Sequence, residues 1–233
     1  MMQQEIDENA IHNLINKEFQ NLDPRVKNKI EPIHDQIDFY YNSFNVCLGK
    51  QGTGKTSFMM YELLKLVQVE NLYDSILYIS NTLSDITFNK LKVYLSQKIP
   101  IYHCTFEQSI KTLGEYFDKF KDGINHIFII IEDATFLLLK DNPIWFGWIC
   151  SLRHLRATVW VNLHIWKSLS PALKSQIACT YVLKGYSREN MLYVYKQSSV
   201  SMDFGSFYAI YTILKPRQVL AINNITNELE ILN

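Results

Sequence analysis

Eight consecutive residues, Gly49 to Thr56, could do chemistry by their types and spacing. They read Gly-Lys-Gln-Gly-Thr-Gly-Lys-Thr. The three glycines lack Cβ atoms, so the backbone can adopt positive φ angles and approach a ligand closely. Backbone N–H groups in such a turn can cradle a polyphosphate, Lys55 can place its ammonium on the β and γ oxygens, and Thr56 can offer a hydroxyl to Mg²⁺.

The flanking residues fit this chemistry. Residues 43–48 are apolar and partly β-branched or aromatic, as in a buried strand, and residues 57–67 contain neither Gly nor Pro and predict a helix. Strand, glycine-rich loop and helix together form the phosphate-binding P-loop, although a chance match in a glycine-containing turn is the alternative. The predicted ligands are ATP and Mg²⁺. The predicted nucleotide-binding residues are Gly49, Lys50, Gln51, Gly52, Thr53, Gly54, Lys55, Thr56 and Ser57.

A second acidic motif could complete such a site. Residues 127–131 are five consecutive apolar residues that are followed by Glu132 and Asp133, which is the Walker B pattern. Glu132 is predicted to hold Mg²⁺ through water, together with Thr56, and Asp133 to orient or deprotonate the attacking water. The order of the two acids leaves their division of labour open. The alternative is a core strand that runs into a solvated acidic turn. An acid pair favours hydrolysis over phosphoryl transfer to a small molecule.

Charge is unevenly distributed along the chain. The 23 basic and 23 acidic residues give no net charge, so no global basic field indicates nucleic-acid binding. Residues 1–40 hold eight acidic and four basic residues, a net charge of −4, whereas residues 140–190 hold seven basic and two acidic residues, a net charge of +5. The basic stretch is either an ordinary solvated surface or a contact for DNA phosphates.

The cysteine and hydropathy patterns limit which class of protein this can be. The four cysteines form no C-x-x-C pair and predict buried free thiols in a reducing compartment. The six histidines show no metal-ligand spacing, and no run of about 18 apolar residues predicts membrane insertion. The polar, acidic start of the chain does not resemble a signal peptide, so we expect a soluble, cytosolic protein that is not secreted.

Strand-like and helix-like segments alternate after residue 43, which is typical of a parallel α/β sheet. We predict an N-terminal extension over residues 1–40 and a P-loop ATPase domain over residues 41–233, which ends in a helix and a β-hairpin. The predicted strands are 43–48, 75–80, 100–103, 126–132, 157–163 and 178–184, with a terminal hairpin over 217–232. The predicted helices are 55–69, 86–97, 106–120, 143–154 and 187–198.

The stretch after the Walker B motif narrows the family. An aromatic segment (144–149) precedes Arg153-His154, a strand (158–163), the polar residue His164, and a Leu169-Ser170-Pro171 turn that Lys174 follows. Over residues 43–185 the chain resembles the genome-packaging ATPases of large DNA viruses, virophages and related elements, the poxvirus-type branch of the FtsK–HerA superfamily. That family usually has Gln as its sensor where this chain has His164, and Asn where this chain has Gln176.

The resemblance implies a function and an assembly. It implies a P-loop NTPase of the RecA/FtsK type that translocates double-stranded DNA without sequence specificity into a preformed capsid. The ring is expected to be a hexamer or pentamer that contacts capsid vertex proteins, in the host cytoplasm or a viral factory, with virion association as an alternative. ATP hydrolysis at subunit interfaces would use an arginine from a neighbour, with Arg153 as the first candidate and Arg156 and Lys174 behind it. The implied catalytic residues are Lys55, Glu132, Asp133, His164 and Arg153.

Two other functions fit the motifs. One is a nucleotide switch that binds ATP without moving DNA. The other is a P-loop kinase of a small molecule, which would need an arginine-rich lid and an acceptor pocket that the sequence does not indicate. DNA-stimulated ATP turnover distinguishes the motor from both.

Overall fold

The computed structural model describes residues 42–68, 73–81, 89, 92–93, 95, 99–119, 125–132 and 143–232. The predicted N-terminal extension, residues 1–40, lies outside the described residues. So does Asp133, and so does most of the predicted helix over residues 86–97.

One eight-stranded sheet organises the described chain. Its spatial order is β3-β2-β4-β5-β1-β6-β7-β8, with six parallel strands and an antiparallel pair, β7 and β8, at one edge. This confirms the predicted α/β class, the mostly parallel sheet and the terminal hairpin. The strands are β1 (Phe44–Leu48), β2 (Ser75–Ile79), β3 (Ile101–Cys104), β4 (Ile127–Ile131), β5 (Ala157–Leu163), β6 (Ile177–Leu183), β7 (Val219–Asn223) and β8 (Leu229–Leu232).

Helices connect the strands close to the predicted places. The predicted helix over residues 143–154 is interrupted at Ser151 and forms two helices. The helices are α1 (Lys55–Gln68), α2 (Phe106–Lys119), α3 (Pro143–Cys150), α4 (Leu152–Leu155), α5 (Pro171–Lys174), α6 (Arg188–Gln197) and α7 (Phe204–Thr212), with a 3₁₀ helix at Trp166–Ser168. Helix α7 was not predicted. It begins at Asp203, whose carboxylate accepts a hydrogen bond of 3.1 Å from the Ser206 amide and caps the helix.

The sheet separates two hydrophobic cores. Every residue of β1, β2, β4, β5 and β6 is buried, as expected for parallel strands that are covered on both faces. Helix α1 packs through Phe58, Met59 and Leu63 on one face, where Trp160 and Tyr181 also lie. Helices α2, α3, α6 and α7 cover the other face. The glycine-rich loop is therefore held between a buried strand and a helix that packs on the sheet through Phe58, Met59 and Leu63.

Three of the four cysteines are buried as predicted, and the prediction is wrong for Cys150. Cys150 is the last residue of α3 and is exposed, because the buried side of that helix is formed by Trp145 and Ile149. All four are free thiols. Burial raises the pKa of Cys104 to about 11 and that of Cys179 to about 12, so both stay protonated at neutral pH.

Within the described residues, no helix combines the length and the apolar character needed to cross a bilayer.

Candidate nucleotide-binding site

The glycine-rich loop forms a tight turn between β1 and α1. Gly52 and Gly54 adopt φ angles of 74° and 97°, which favour glycine. At Gly49 a Cβ atom would lie 2.4 Å from Thr53 Oγ1, so only glycine fits there without a rearrangement. The Thr53 amide and hydroxyl both donate to the Lys50 carbonyl, at 3.3 and 2.7 Å. The loop thus has the close backbone approach that a phosphate cradle requires.

Lys55 is the buried cation of this loop. Its side chain is 5% exposed, and Nζ donates to the carbonyls of Gly49 and Lys50 at 2.9 and 3.2 Å. Nζ also lies 3.0 Å from His164 Nδ1. An ammonium group can only donate, so Lys55 Nζ donates this bond and His164 Nδ1 accepts it. These contacts hold the ammonium at the N-terminus of α1, where positive charge and free amides favour an anion.

Glu132 directly follows β4 and is also buried, at 7% exposure. Its amide donates to the Ile79 carbonyl at 3.0 Å, and its Oε1 accepts a bond of 2.9 Å from Asn162 Nδ2. Asn162 Oδ1 in turn accepts a bond of 2.8 Å from Trp160 Nε1. Neither Asn162 nor Trp160 was among the predicted site residues. The available signal was an amide in a mostly apolar strand.

The sheet order brings the predicted residues together. Strand β5 lies between β1 and β4, and the carboxyl ends of all three strands meet at one edge. Lys55, Glu132 and His164 follow these ends. The charges of Lys55 and Glu132 both affect the buried thiol of Cys47. Burial raises the Cys47 pKa well above its ordinary value, Lys55 lowers it and Glu132 raises it further. Lys55 and Glu132 therefore lie close enough to affect the same residue at the carboxyl end of β1.

A tyrosine from the loop after β6 supports His164. Tyr186 Oη donates to the His164 carbonyl at 2.6 Å, and the Tyr186 amide donates to Tyr211 Oη of α7 at 2.7 Å. Burial raises the Tyr186 pKa. Beside it, Gly185 has a φ of 122° and lies against the Lys50 and Thr53 side chains. Sequence reasoning missed this support because Tyr186 and His164 are 22 residues apart.

Arg153 does not lie with the other predicted site residues. It is exposed on α4, before β5, and lines a cleft of about 360 Å³ at the amino edge of the sheet together with Ser175 and Gln176. Seven residues of β5 separate that edge from His164, which is roughly 20 Å at the rise of a strand.

The other two candidates for the shared basic residue, Arg156 and Lys174, have partners within their own chain. Arg156 has a φ of 48° and donates to His126 Nε2 at 3.2 Å, so it is bound within its own chain at the amino edge. Lys174 Nζ lies 5.4 Å from the centroid of the Trp166 ring, and burial lowers its pKa.

The residues present fit a nucleotide and Mg²⁺. The cradle and the buried ammonium of Lys55 fit phosphates. The Thr56 hydroxyl, in the first turn of α1, and the Glu132 carboxylate are the hard oxygen donors that Mg²⁺ takes alongside water and phosphate. Nowhere in the described part of the chain do three or more His, Cys, Asp or Glu side chains gather around a possible ion. Five of the predicted loop residues are exposed: Lys50, Gln51, Gly52, Gly54 and Ser57.

The fold has close counterparts among solved structures. B204, the DNA-packaging ATPase from Sulfolobus turreted icosahedral virus, matches with a TM-score of 0.63 and 15% identity over 84% of this chain and 98% of that chain. The chain has the fold of viral genome-packaging ATPases. The packaging NTPase B204 from Sulfolobus turreted icosahedral virus 2, solved in complex with ATP-γS, matches with a TM-score of 0.62 and 11% identity over 82% of this chain and 96% of that chain.

A secretion ATPase shares the packaging-ATPase fold. The cytoplasmic domain of the type VII secretion ATPase EccC from Thermomonospora curvata matches with a TM-score of 0.59 and 12% identity, over 82% of this chain and 25% of that chain. No protein-family model matches the chain, and no curated protein matches its sequence. These structural likenesses show the fold of the chain.

Proposed function

We propose that this protein is an ATPase that drives double-stranded DNA into a preformed viral capsid. The observation that carries the proposal is the convergence of Lys55, Glu132 and His164 on one edge of a packaging-ATPase fold. Hydrolysis, rather than nucleotide binding alone, is favoured by the acid that follows β4 and by the imidazole beside the P-loop lysine.

Different residues of this chain are proposed to serve different steps of ATP hydrolysis. Backbone amides of the loop and Lys55 bind the phosphates, and Thr56 and Glu132 would hold Mg²⁺, which polarises the γ-phosphate when bound. Asp133 is proposed to orient the attacking water. His164 is proposed as the sensor of the γ-phosphate, since Nδ1 already contacts Lys55 at 3.0 Å.

The position of Arg153 favours a shared site. An exposed arginine at the amino edge cannot reach the P-loop of its own chain, but it could reach the carboxyl edge of a neighbour in a ring. An arginine supplied in trans stabilises the charge of the transition state in other P-loop NTPases. We propose a hexameric or pentameric ring, with the basic residues of the 140–190 region on DNA phosphates and capsid vertex proteins as partners, in the host cytoplasm or a viral factory.

ATP turnover with and without double-stranded DNA tests the proposal. We expect DNA of any sequence to stimulate turnover, the stimulation to fall with salt because phosphate contacts release counterions, and the Lys55→Ala variant to be inactive yet folded. A nucleotide switch would show slow turnover that DNA leaves unchanged, and a kinase would require a small acceptor. Wild-type turnover that equals that of the Lys55→Ala variant would refute ATP hydrolysis at this site.

A further inference from the structure

Asn162 is a fully buried amide in an apolar strand. It is 0% exposed, and the rest of β5 is Ala-Thr-Val-Trp-Val and Leu. A buried amide is costly unless it is hydrogen-bonded, and here both ends have a partner. Oδ1 accepts from Trp160 Nε1 at 2.8 Å, and Nδ2 donates to Glu132 Oε1 at 2.9 Å.

These two partners fix the orientation of the amide. The indole N–H can only donate, and an ionised carboxylate can only accept. Rotating the amide by 180° would place an NH₂ group against the indole N–H and an oxygen against the carboxylate. Asn162 can therefore present only its NH₂ group to Glu132.

Trp160 is itself held in place. Its ring stacks on Tyr181 of β6, with centroids 4.7 Å apart and planes inclined by 17°, and it contacts Phe58 of α1 at 5.9 Å. Its side chain is 0% exposed. The direction of the indole N–H is thus set by β6 and by the helix that starts at the P-loop.

Asn162 also occupies the position that joins the two halves of the site. In the sheet it pairs with Cys47, two residues before Gly49, while its neighbour Val161 pairs with Ile131, the residue before Glu132. Asn162 therefore lies between the strand that precedes the P-loop and the strand that Glu132 follows.

We propose that Asn162 is a positioning residue for ATP hydrolysis. Its amide, which Trp160 orients, holds the Glu132 carboxylate in one rotamer beside the P-loop. This inference rests on the proposed function, because it assigns Asn162 a role only if Glu132 serves the bound nucleotide. The competing explanation is a buried hydrogen bond that stabilises the fold alone.

Three variants separate these explanations. Asn162→Asp keeps an acceptor for Trp160 but places a second acidic group against Glu132, Asn162→Leu removes both hydrogen bonds, and Trp160→Phe keeps an aromatic ring but removes the N–H that orients the amide. In the two Asn162 variants we expect a loss of about 10- to 100-fold in kcat or in apparent Mg²⁺ affinity, the usual effect of removing an outer partner of a metal-site ligand. We expect a smaller loss of the same kind in Trp160→Phe. Nucleotide affinity in EDTA should stay within about twofold of wild type, since the loop is intact.

Thr158→Val is the matched control. Thr158 lies on the same strand, is 0% exposed and accepts hydrogen bonds from Tyr73 Oη and the Asn42 amide, but it is four residues from Asn162. We expect this variant to lower the melting temperature without changing kcat or the Mg²⁺ requirement.

An NMR measurement reads the contact without turnover. The indole N–H signal of Trp160, identified by its loss in Trp160→Phe, should shift in Glu132→Gln, because neighbouring hydrogen bonds polarise one another. The signal of Trp145, in α3, should not shift.

The outcomes distinguish this inference from the proposed function. Wild-type protein without ATP turnover would refute the proposed function itself. With active wild type, the inference is overturned if folded Asn162 variants keep kcat and Mg²⁺ affinity, or if Thr158→Val loses as much of either as they do. If the Asn162 variants fail to fold, unchanged kcat and Mg²⁺ affinity in Trp160→Phe overturn it.

Discussion

At the scale of single residues, one imidazole nitrogen lies between a donor and an acceptor. His164 Nδ1 is 3.0 Å from Lys55 Nζ and 3.2 Å from the Gly49 carbonyl. An ammonium can only donate, so Nδ1 accepts from Lys55. The Gly49 carbonyl accepts from the same ammonium at 2.9 Å, so His164 and Gly49 together hold Lys55 in the loop.

This arrangement predicts that the His164 side chain takes part in turnover. His164→Gln, which carries the residue usual in the family, keeps a hydrogen-bonding group beside Lys55, whereas His164→Ala removes the contact of 3.0 Å. We expect His164→Gln to keep most of the ATP turnover and His164→Ala to lose about tenfold or more, because a hydrogen bond to a charged group is lost. Wild-type turnover in His164→Ala would remove His164 from the site.

The two acids after β4 allow a test of their roles. We expect Asp133→Asn to bind MgATP normally and to lose almost all turnover, because it would no longer orient water. We expect Glu132→Gln to reduce the effect of Mg²⁺ on nucleotide binding. Turnover assays and binding titrations with and without Mg²⁺ would measure both. Swapped phenotypes would exchange the roles, and two wild-type phenotypes would refute the Walker B assignment.

At the scale of elements, the loop depends on a glycine that has no room for a side chain. Gly49→Ala would force Thr53 Oγ1 away from a Cβ atom at 2.4 Å, so we expect nucleotide binding to be lost while the sheet stays folded. Gly114→Ala is the matched control, since no atom lies within 4 Å of its Cβ position on α2. It should stabilise the protein by about 0.5–1 kcal/mol, because alanine favours a helix over glycine.

Chemical denaturation and binding of a fluorescent nucleotide would measure both glycine variants. A Gly49→Ala protein that binds nucleotide with wild-type affinity would show that the loop does not need its close backbone approach. Global unfolding of that variant would instead show that the loop supports the sheet.

At the scale of the whole molecule, the predicted site residues lie at two opposite edges of the sheet. The P-loop lies at the carboxyl edge, and Arg153 lies at the amino edge, beyond the reach of its own site. If a neighbour completes the site, Arg153→Ala and Lys55→Ala should each be inactive, and a mixture should recover part of the turnover. Recovery is expected because an intact loop on one subunit can then meet an intact arginine on the other.

Turnover per subunit should also fall on dilution of the wild-type protein. Arg156→Gln is the control, since Arg156 lies at the same edge but donates to His126 of its own chain. Full activity of Arg153→Ala, or Arg156→Gln with the same loss as Arg153→Ala, would contradict the proposed trans role of Arg153.

The sequence alone determined the local features of this protein. The glycine-rich loop, the apolar run before Glu132 and the alternation of strands and helices are contiguous patterns, so propensity and spacing predicted them within a residue or two. Helix α7 was not predicted because it is mostly apolar and shows no amphipathic period. Its residues are Phe-Gly-Ser-Phe-Tyr-Ala-Ile-Tyr-Thr. Cys150 was misjudged because an apolar helix does not reveal which of its faces is buried.

Only the tertiary structure decided which distant residues meet. Lys55 and His164 are 109 residues apart, and Glu132 and Asn162 are 30 residues apart. They meet because β5 lies between β1 and β4. No local sequence pattern specifies this order of strands. Arg153 lies at the far edge because its helix, α4, directly precedes β5. A hydrogen bond depends on placement within a few tenths of an ångström, and that placement comes from the packing of the whole sheet.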